Sequence, residues 1–240
     1  MVAPLIPERW EVPERFRQRV GSQAGRQRAM LEGGHLLLIL HEIPSADTRE
    51  RGARLYWRAP GGAWRASGVK GDGLPALKAH IEEFREAIHA LDDKVDHATQ
   101  AVELYHVLRA AGPIARAARN LHRTLQEARE GVDDKNIISM RDAAGEVERA
   151  SEFLVNDAKN ALEFLETKAA EEQTVLARKA ADAQHRLNLM AALFFPVTAL
   201  GSIFGTTLRT GLEGQGAWFF WVIFGMAIVI GFLVRGSVTR

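Results

Sequence analysis

Two groups of residues in this 240-residue chain have the types and spacing to do chemistry. In the first, Thr198 and Ser202 are hydroxyls in an apolar helical stretch. With Leu187, Ala191, Phe195 and Gly205 they recur every three or four residues, which puts all six on one helix face. Such a face could line a pore and offer oxygens to a hydrated ion. The competing reading is that both hydroxyls bond back to helix carbonyls, close to the one freed by Pro196. In the second group, His89, Asp93 and His97 stack at i, i+4 and i+8, with Asp92 and Asp96 beside them. That spacing could hold a transition metal, and it is equally that of a solvated helix face. There is no P-loop, nucleophile elbow or HExxH, and the absence of cysteine excludes disulfides and thiolate metal sites. An enzyme is therefore not expected, and no resident cofactor is implied. Basic residues are scattered over 9–28 without a dense block, so nucleic-acid binding is not predicted either.

The elements that must position these residues are unevenly distributed. Charges nearly balance, 31 Lys and Arg against 30 Asp and Glu, but they crowd before Arg186, while apolar residues dominate after it. Residues 187–205 and 217–234 are apolar stretches joined by a Gly-rich turn, and the second carries no charge. Each approaches the roughly 20 residues that cross a hydrocarbon core of about 30 Å. A buried core hairpin is the alternative, and the lack of charge favours two membrane spans. Arg178, Lys179 and Arg186 precede the first stretch and Arg235 and Arg240 follow the second, against Arg209 alone between them. By the positive-inside tendency both termini are cytoplasmic, and Trp218 and Trp221 fall at the outer interface. The N-terminus lacks the apolar core of a signal peptide, which leaves the soluble region in the cytosol.

Within that soluble region, residues 1–73 read as a small α/β part. Strands are predicted at 35–43, 54–58 and 63–67, the last two joined by the hairpin signal Ala59-Pro60-Gly61-Gly62. Three strands bury little alone, so the sheet should pack on the following helices or on another subunit. Residues 1–30 are compatible with a helix or with partial disorder. A helix is predicted over 74–111, with Leu77, Ile81, Phe84, Ile88, Leu91, Val95, Val102 and Tyr105 on one face. Gly112-Pro113 should break it, a second helix should run over 114–130, and Asp133 or Asp134 should cap a third.

That third helix carries Ala143, Leu154, Leu165, Leu176 and Leu187 at eleven-residue intervals, shadowed by Val147, Ala158, Ala169, Ala180 and Ala191. An eleven-residue period keeps the stripe on one face of a nearly straight helix. The pattern predicts one helix over about 135–204, roughly 100 Å long, running into the first apolar stretch. Alternating Leu and Ala suits identical helices gathered round an axis, so a homo-oligomer is expected.

The run Leu-Phe-Phe-Pro-Val-Thr-Ala-Leu-Gly-Ser-Ile-Phe-Gly-Thr-Thr-Leu at 193–208 resembles the first transmembrane segment of the CorA-type magnesium transporters. That family has an apolar-Pro-apolar-Thr core followed by a Gly-Met-Asn signature. The resemblance covers 143–240 well and fades before Leu74. Gly205 matches the signature glycine, whereas Thr206 and Thr207 stand where Met and Asn are expected. In the family the Asn ring at the outer mouth holds hydrated Mg²⁺ through its water shell, which suits an ion that dehydrates reluctantly. Threonine presents oxygen without the amide's reach.

The resemblance implies a mainly α membrane protein: a small α/β cytosolic region (1–73), a helical stalk domain (74–186) and a two-span membrane domain (187–240). It implies a homopentamer in the inner, cytoplasmic membrane, conducting a divalent cation, Mg²⁺ first and Co²⁺ second. Leu187 and Ala191 would form an apolar gate, Phe195 would narrow the middle, Thr198 and Ser202 would meet the ion, and Gly205, Thr206 and Thr207 would form the outer mouth. The pore face has no acidic ring. Cation preference would rest on hydroxyl and carbonyl dipoles and on Glu213 in the outer loop, opposed by Arg209. Asp157, Glu163 and Glu166 on the stalk are candidates for the family's cytosolic magnesium sensing, or simply a solvated face. The alternatives are an anion-permeable or poorly selective channel, and a non-conducting signalling or scaffold protein, on the same fold.

Overall fold

The computed structural model describes residues 5–21, 25–44, 52–205, 214, 216 and 218–238. The chain divides into two compact units, Met1–Thr167 and Lys168–Arg240.

The first unit holds a four-stranded antiparallel meander, β1 (Arg28–Glu32), β2 (His35–His41), β3 (Ala53–Arg58) and β4 (Trp64–Ser67), paired in that order. Gly33 and Gly34, with φ of 56° and 77°, make the two-residue turn between β1 and β2, as a tight hairpin requires. The predicted Ala59–Gly62 hairpin is present, with Gly62 N–H donating to the Ala59 carbonyl at 2.9 Å. Strand β2 explains why Leu-Leu-Leu-Ile-Leu is unbroken by polar residues: 36–40 are all fully buried because both faces of the sheet are covered. Leu36, Leu38, Leu40 and Tyr56 face the helices. Leu37, Ile39, Leu55 and Trp57 face a second core built with Ile6, Trp10 and Phe16.

The N-terminal segment is thus a cover for the sheet, with helix α1 (Glu14–Arg19) and the additional strand β1 where sequence left helix and disorder open. Arg17 clasps it, donating to the carbonyls of Pro7 at 3.2 Å and Trp10 at 2.6 Å.

Helix α2 is Gly73–His97 and α3 is Ala101–Gly131, which corrects the expected break at Gly112-Pro113. The break lies at 98–100, where the Glu103 carboxylate accepts from the N–H groups of Thr99 and Gln100 at 2.8 and 3.0 Å and so caps a new helix. Pro113 lies inside α3, its unfavourable effect on the helix offset by burial of Ala111, Ile114, Ala117 and Ala118 around it. The restart also resets the helical phase, so Val102 and Tyr105 are exposed rather than on the core face of α2.

Helix α4 is Lys135–Gly205, 71 residues, or about 106 Å of axis. Of the two expected caps it is Asp134 that acts, accepting from the Asn136 N–H at 2.9 Å. Asp134 also takes the Arg58 Nε at 2.7 Å, tying the end of β3 to the start of α4. The predicted stripe is buried in the core of the first unit only as far as Ala158: Val147, Leu154 and Ala158 are buried, whereas Leu176 and Leu187 are exposed.

The second unit comprises the end of α4 and α5 (Trp218–Val238). Among the described residues no helix is long and apolar enough to cross a membrane. Several side chains of these stretches, including those of Leu193, Leu200, Phe220 and Ile230, lie outside the description.

Candidate functional site

At 100° per residue, Leu187, Ala191, Phe195, Thr198, Ser202 and Gly205 fall within about 80° of arc on α4, as their spacing predicts. Ala191 is half-buried, and Leu187, Phe195, Thr198 and Ser202 are exposed, Phe195 to 71%. Large apolar side chains gain nothing from such exposure to water, so the face is built to meet something beyond this chain's described residues. Phe194, about 20° from the same line and 65% exposed, belongs beside it. Its helical spacing could have revealed it.

Thr198 Oγ shares its proton between the carbonyls of Phe194 and Phe195, both at 3.0 Å. Back-bonding of this hydroxyl is therefore present, and it does not remove the site's chemistry. The bond uses the donor and leaves the oxygen lone pairs free to accept, which is what the water shell of a cation needs. Pro196 meanwhile has no N–H for the Ala192 carbonyl, one more oxygen at this level. Thr206, Thr207, Arg209 and Glu213 lie outside the described residues.

The metal candidates on α2 are not brought together. His89, Asp93 and His97 are exposed, and His97 Nδ1 bonds the Asp93 backbone carbonyl at 2.7 Å. Among the described residues no group of three or more His, Cys, Asp or Glu is placed to hold a metal. Asp157, Glu163 and Glu166 are exposed on α4.

The cluster that sequence reasoning missed lies between β3 and α2. Arg54 Nη1 stands 2.7 Å from His80 Nδ1 and 2.6 Å from Glu83 Oε2. His80 is fully buried, with Tyr56 and Phe84 around its ring, and among the described residues its Nε2 has no hydrogen-bond partner. Burial, reinforced by the Arg54 charge, pulls its pKa down to about 3, so the ring is neutral and accepts from Arg54. Burial also pushes the neighbouring Tyr56 hydroxyl up, against the opposing Arg54 charge. The available signal was position: His80 follows Leu77 and precedes Ile81 and Phe84 on the apolar side of α2.

Residues 74–235, from the start of α2 nearly to the end of α5, match the family described as CorA-like Mg2+ transporter protein. The chain belongs to that family. Among solved structures, this CorA-like chain is similar to full-length CmaX, with 12% identity, a TM-score of 0.58 and coverage of 97% of this chain and 83% of that one. It is also similar to the ZntB cytoplasmic domain from Vibrio parahaemolyticus RIMD 2210633, with 10% identity, a TM-score of 0.52 and coverage of 67% and 80%. At these identities the likeness concerns the fold. None of the curated proteins matches the sequence. The sheet at 28–67 precedes the family match.

Proposed function

We propose that this CorA-like chain is a subunit of a homo-oligomeric, ion-conducting membrane protein, not an enzyme, and that the α4 face from Leu187 to Ser202 lines its conduit. The observation that carries the reading is this face itself: a hydroxyl-bearing, largely exposed stripe on a 71-residue helix, continuous with a Leu/Ala stripe whose Ala169, Leu176 and Leu187 are exposed among the described residues. Copies of the same helix round an axis would cover both. The family's description supports Mg²⁺ as cargo rather than resident cofactor; a pentamer, and Co²⁺ as second cargo, are part of the proposal on the strength of the resemblance.

The bilayer reading rests on the sequence and on length. Helix α5 has 21 residues, about 31 Å, and no charge before Arg235. Its Trp221, Val222, Met226, Val229 and Phe232 are exposed, as lipid-facing or subunit-facing residues would be. With both spans in an inner membrane, the charge bias places both termini in the cytoplasm. Leu187 and Ala191 would gate by dewetting, and Thr206 with Thr207 would form the outer mouth. Replacing the expected Met-Asn by Thr-Thr favours a second reading, a non-conducting scaffold on this fold. Ser202→Leu separates them: the conducting reading expects assembled oligomers without flux, and unchanged flux in assembled oligomers would overturn the pore assignment.

A further inference from the structure

Two apolar features of the first unit stay exposed among the described residues. One is on α4, where Phe153 and Phe164 are 66% and 67% exposed. Eleven residues make close to three full turns, so the two rings share a face with Asp157 between them, about 80–100° round the helix from the buried Leu154. The other is a groove of about 430 Å³ at the tip of the α2–α3 hairpin. Leu91, Val107 and Ala110 give it an apolar lining, and Lys94, His97 and His106 are its basic side chains. Glu103 also lines it, but its carboxylate is engaged by the N–H groups of Thr99 and Gln100. Tyr105, 60% exposed, packs edge-on against His106.

The two features lie at the same height. On α3, Arg119 meets Glu152 of α4 at 2.5 Å and His122 meets Glu148 at 2.6 Å, so the two helices run antiparallel. The same pairing carried along both sets 103–110 level with about residues 160–167. Helix α2, antiparallel to α3 across their short turn, places Arg85 3.7 Å from Glu146, which sets 91–98 level with about residues 152–159. Phe153 and Phe164 span that height.

Height decides what contact between copies builds. A protruding patch and a recess on different surfaces of one chain make a head-to-tail contact, which closes into a ring when the two are level along the axis and winds into a filament when they are not. Charge agrees with the pairing: Asp157 and Glu163 accompany the phenylalanines, and Lys94, His97 and His106 line the groove. We propose that Phe153 and Phe164 of one copy seat in the α2–α3 groove of the next, with Asp157 beside Lys94 across the contact, so that the occupant of the groove is a second copy of this chain. The inference rests on the homo-oligomeric reading above and adds to it a pair of mating surfaces built from the first unit alone.

The chain has no cysteine, so introduced pairs report without background. Phe164→Cys and His106→Cys are made singly and together in the full-length protein, at exposed positions that the fold should tolerate. Phe153→Cys with Lys94→Cys, likewise exposed, is a second pair. The purified protein is treated with a short bismaleimide and run on a denaturing gel. The two single variants of a pair, co-expressed, should give a cross-linked dimer. The chain carrying both cysteines should give a ladder above the dimer, since each copy then links to two neighbours. Sedimentation of the wild type separates this inference from the reading it rests on. Intact oligomers in which neither pair cross-links overturn the mating surfaces and leave the homo-oligomer standing, as does linkage of Phe164→Cys to itself as readily as to His106→Cys. A monomeric wild type overturns both.

Discussion

Protonating His80 should destabilise the first unit. Its pKa falls from an ordinary 6.5 to about 3 because the ring is fully buried and faces Arg54. The unfolded chain therefore binds a proton that the folded chain refuses. Stability from this group is complete above about pH 6.5 and is lost as pH falls toward 3, at about 1.4 kcal/mol per pH unit. Between pH 7.5 and pH 5 the loss comes to about 2 kcal/mol, a sizeable part of the 5–15 kcal/mol typical of a domain. Asp72 and Asp134 do not blur this window. The carboxyl of Asp72 is lowered chiefly by the Ala66 N–H, and that of Asp134, despite the opposing effect of burial, by Arg58 and the Asn136 N–H. Their contributions fade only below about pH 4. Residues 1–167 form a compact unit with its own core and contain Trp10, Trp57 and Trp64, so urea unfolding followed by tryptophan fluorescence is a suitable assay. His80→Gln keeps an oxygen for Arg54 and cannot titrate. The variant should lose the 2 kcal/mol of pH dependence whatever its absolute stability. Equal pH dependence in both proteins, to within about 0.5 kcal/mol, would refute the buried neutral histidine.

Other predictions follow from the packing of α4. Leu154→Ala should cost about 2–5 kcal/mol in the same urea assay, because Leu154 is buried within this unit. Leu176→Ala should leave that unit's stability unchanged and weaken self-association of the full chain in analytical ultracentrifugation, because Leu176 is 64% exposed here. Asp134→Ala removes the α4 cap and strands Arg58, itself only 13% exposed, so a loss of about 3 kcal/mol is expected, again read by urea unfolding. That difference should shrink below about pH 4, where protonation removes the Asp134 contribution from the parent protein as well.

What the sequence discloses tracks how local each signal is. The eleven-residue stripe and the Asp133-Asp134 pair located α4 to within a residue at each end, since a long period and a cap are read directly from spacing. Strand β2 was legible as an apolar run between turns, although its burial on both faces depended on Trp10 and Phe16, distant in sequence. The α2–α3 boundary was not legible. Gly112-Pro113 is the stronger local breaker, yet Ala111 and Ile114 sit in the core and hold the helix through it, while the true break at 98–100 contains neither Gly nor Pro. Strand β1 was hidden by its charged ends, Arg28 and Glu32, with Gly33-Gly34 as its one clear mark. The α4 face could be read because helical spacing fixes it. The Arg54–His80–Glu83 cluster could not, because its partners meet only when β3 packs on α2.

The central claim is conduction, and the most direct measurement is ion flux into liposomes holding the purified full-length protein. Mg²⁺, Co²⁺, K⁺ and Cl⁻ would be compared in the wild type and in Thr207→Asn. The account predicts divalent-cation flux in the wild type, with Thr oxygens serving at the outer mouth. No flux from either protein, with oligomers shown intact, would contradict it.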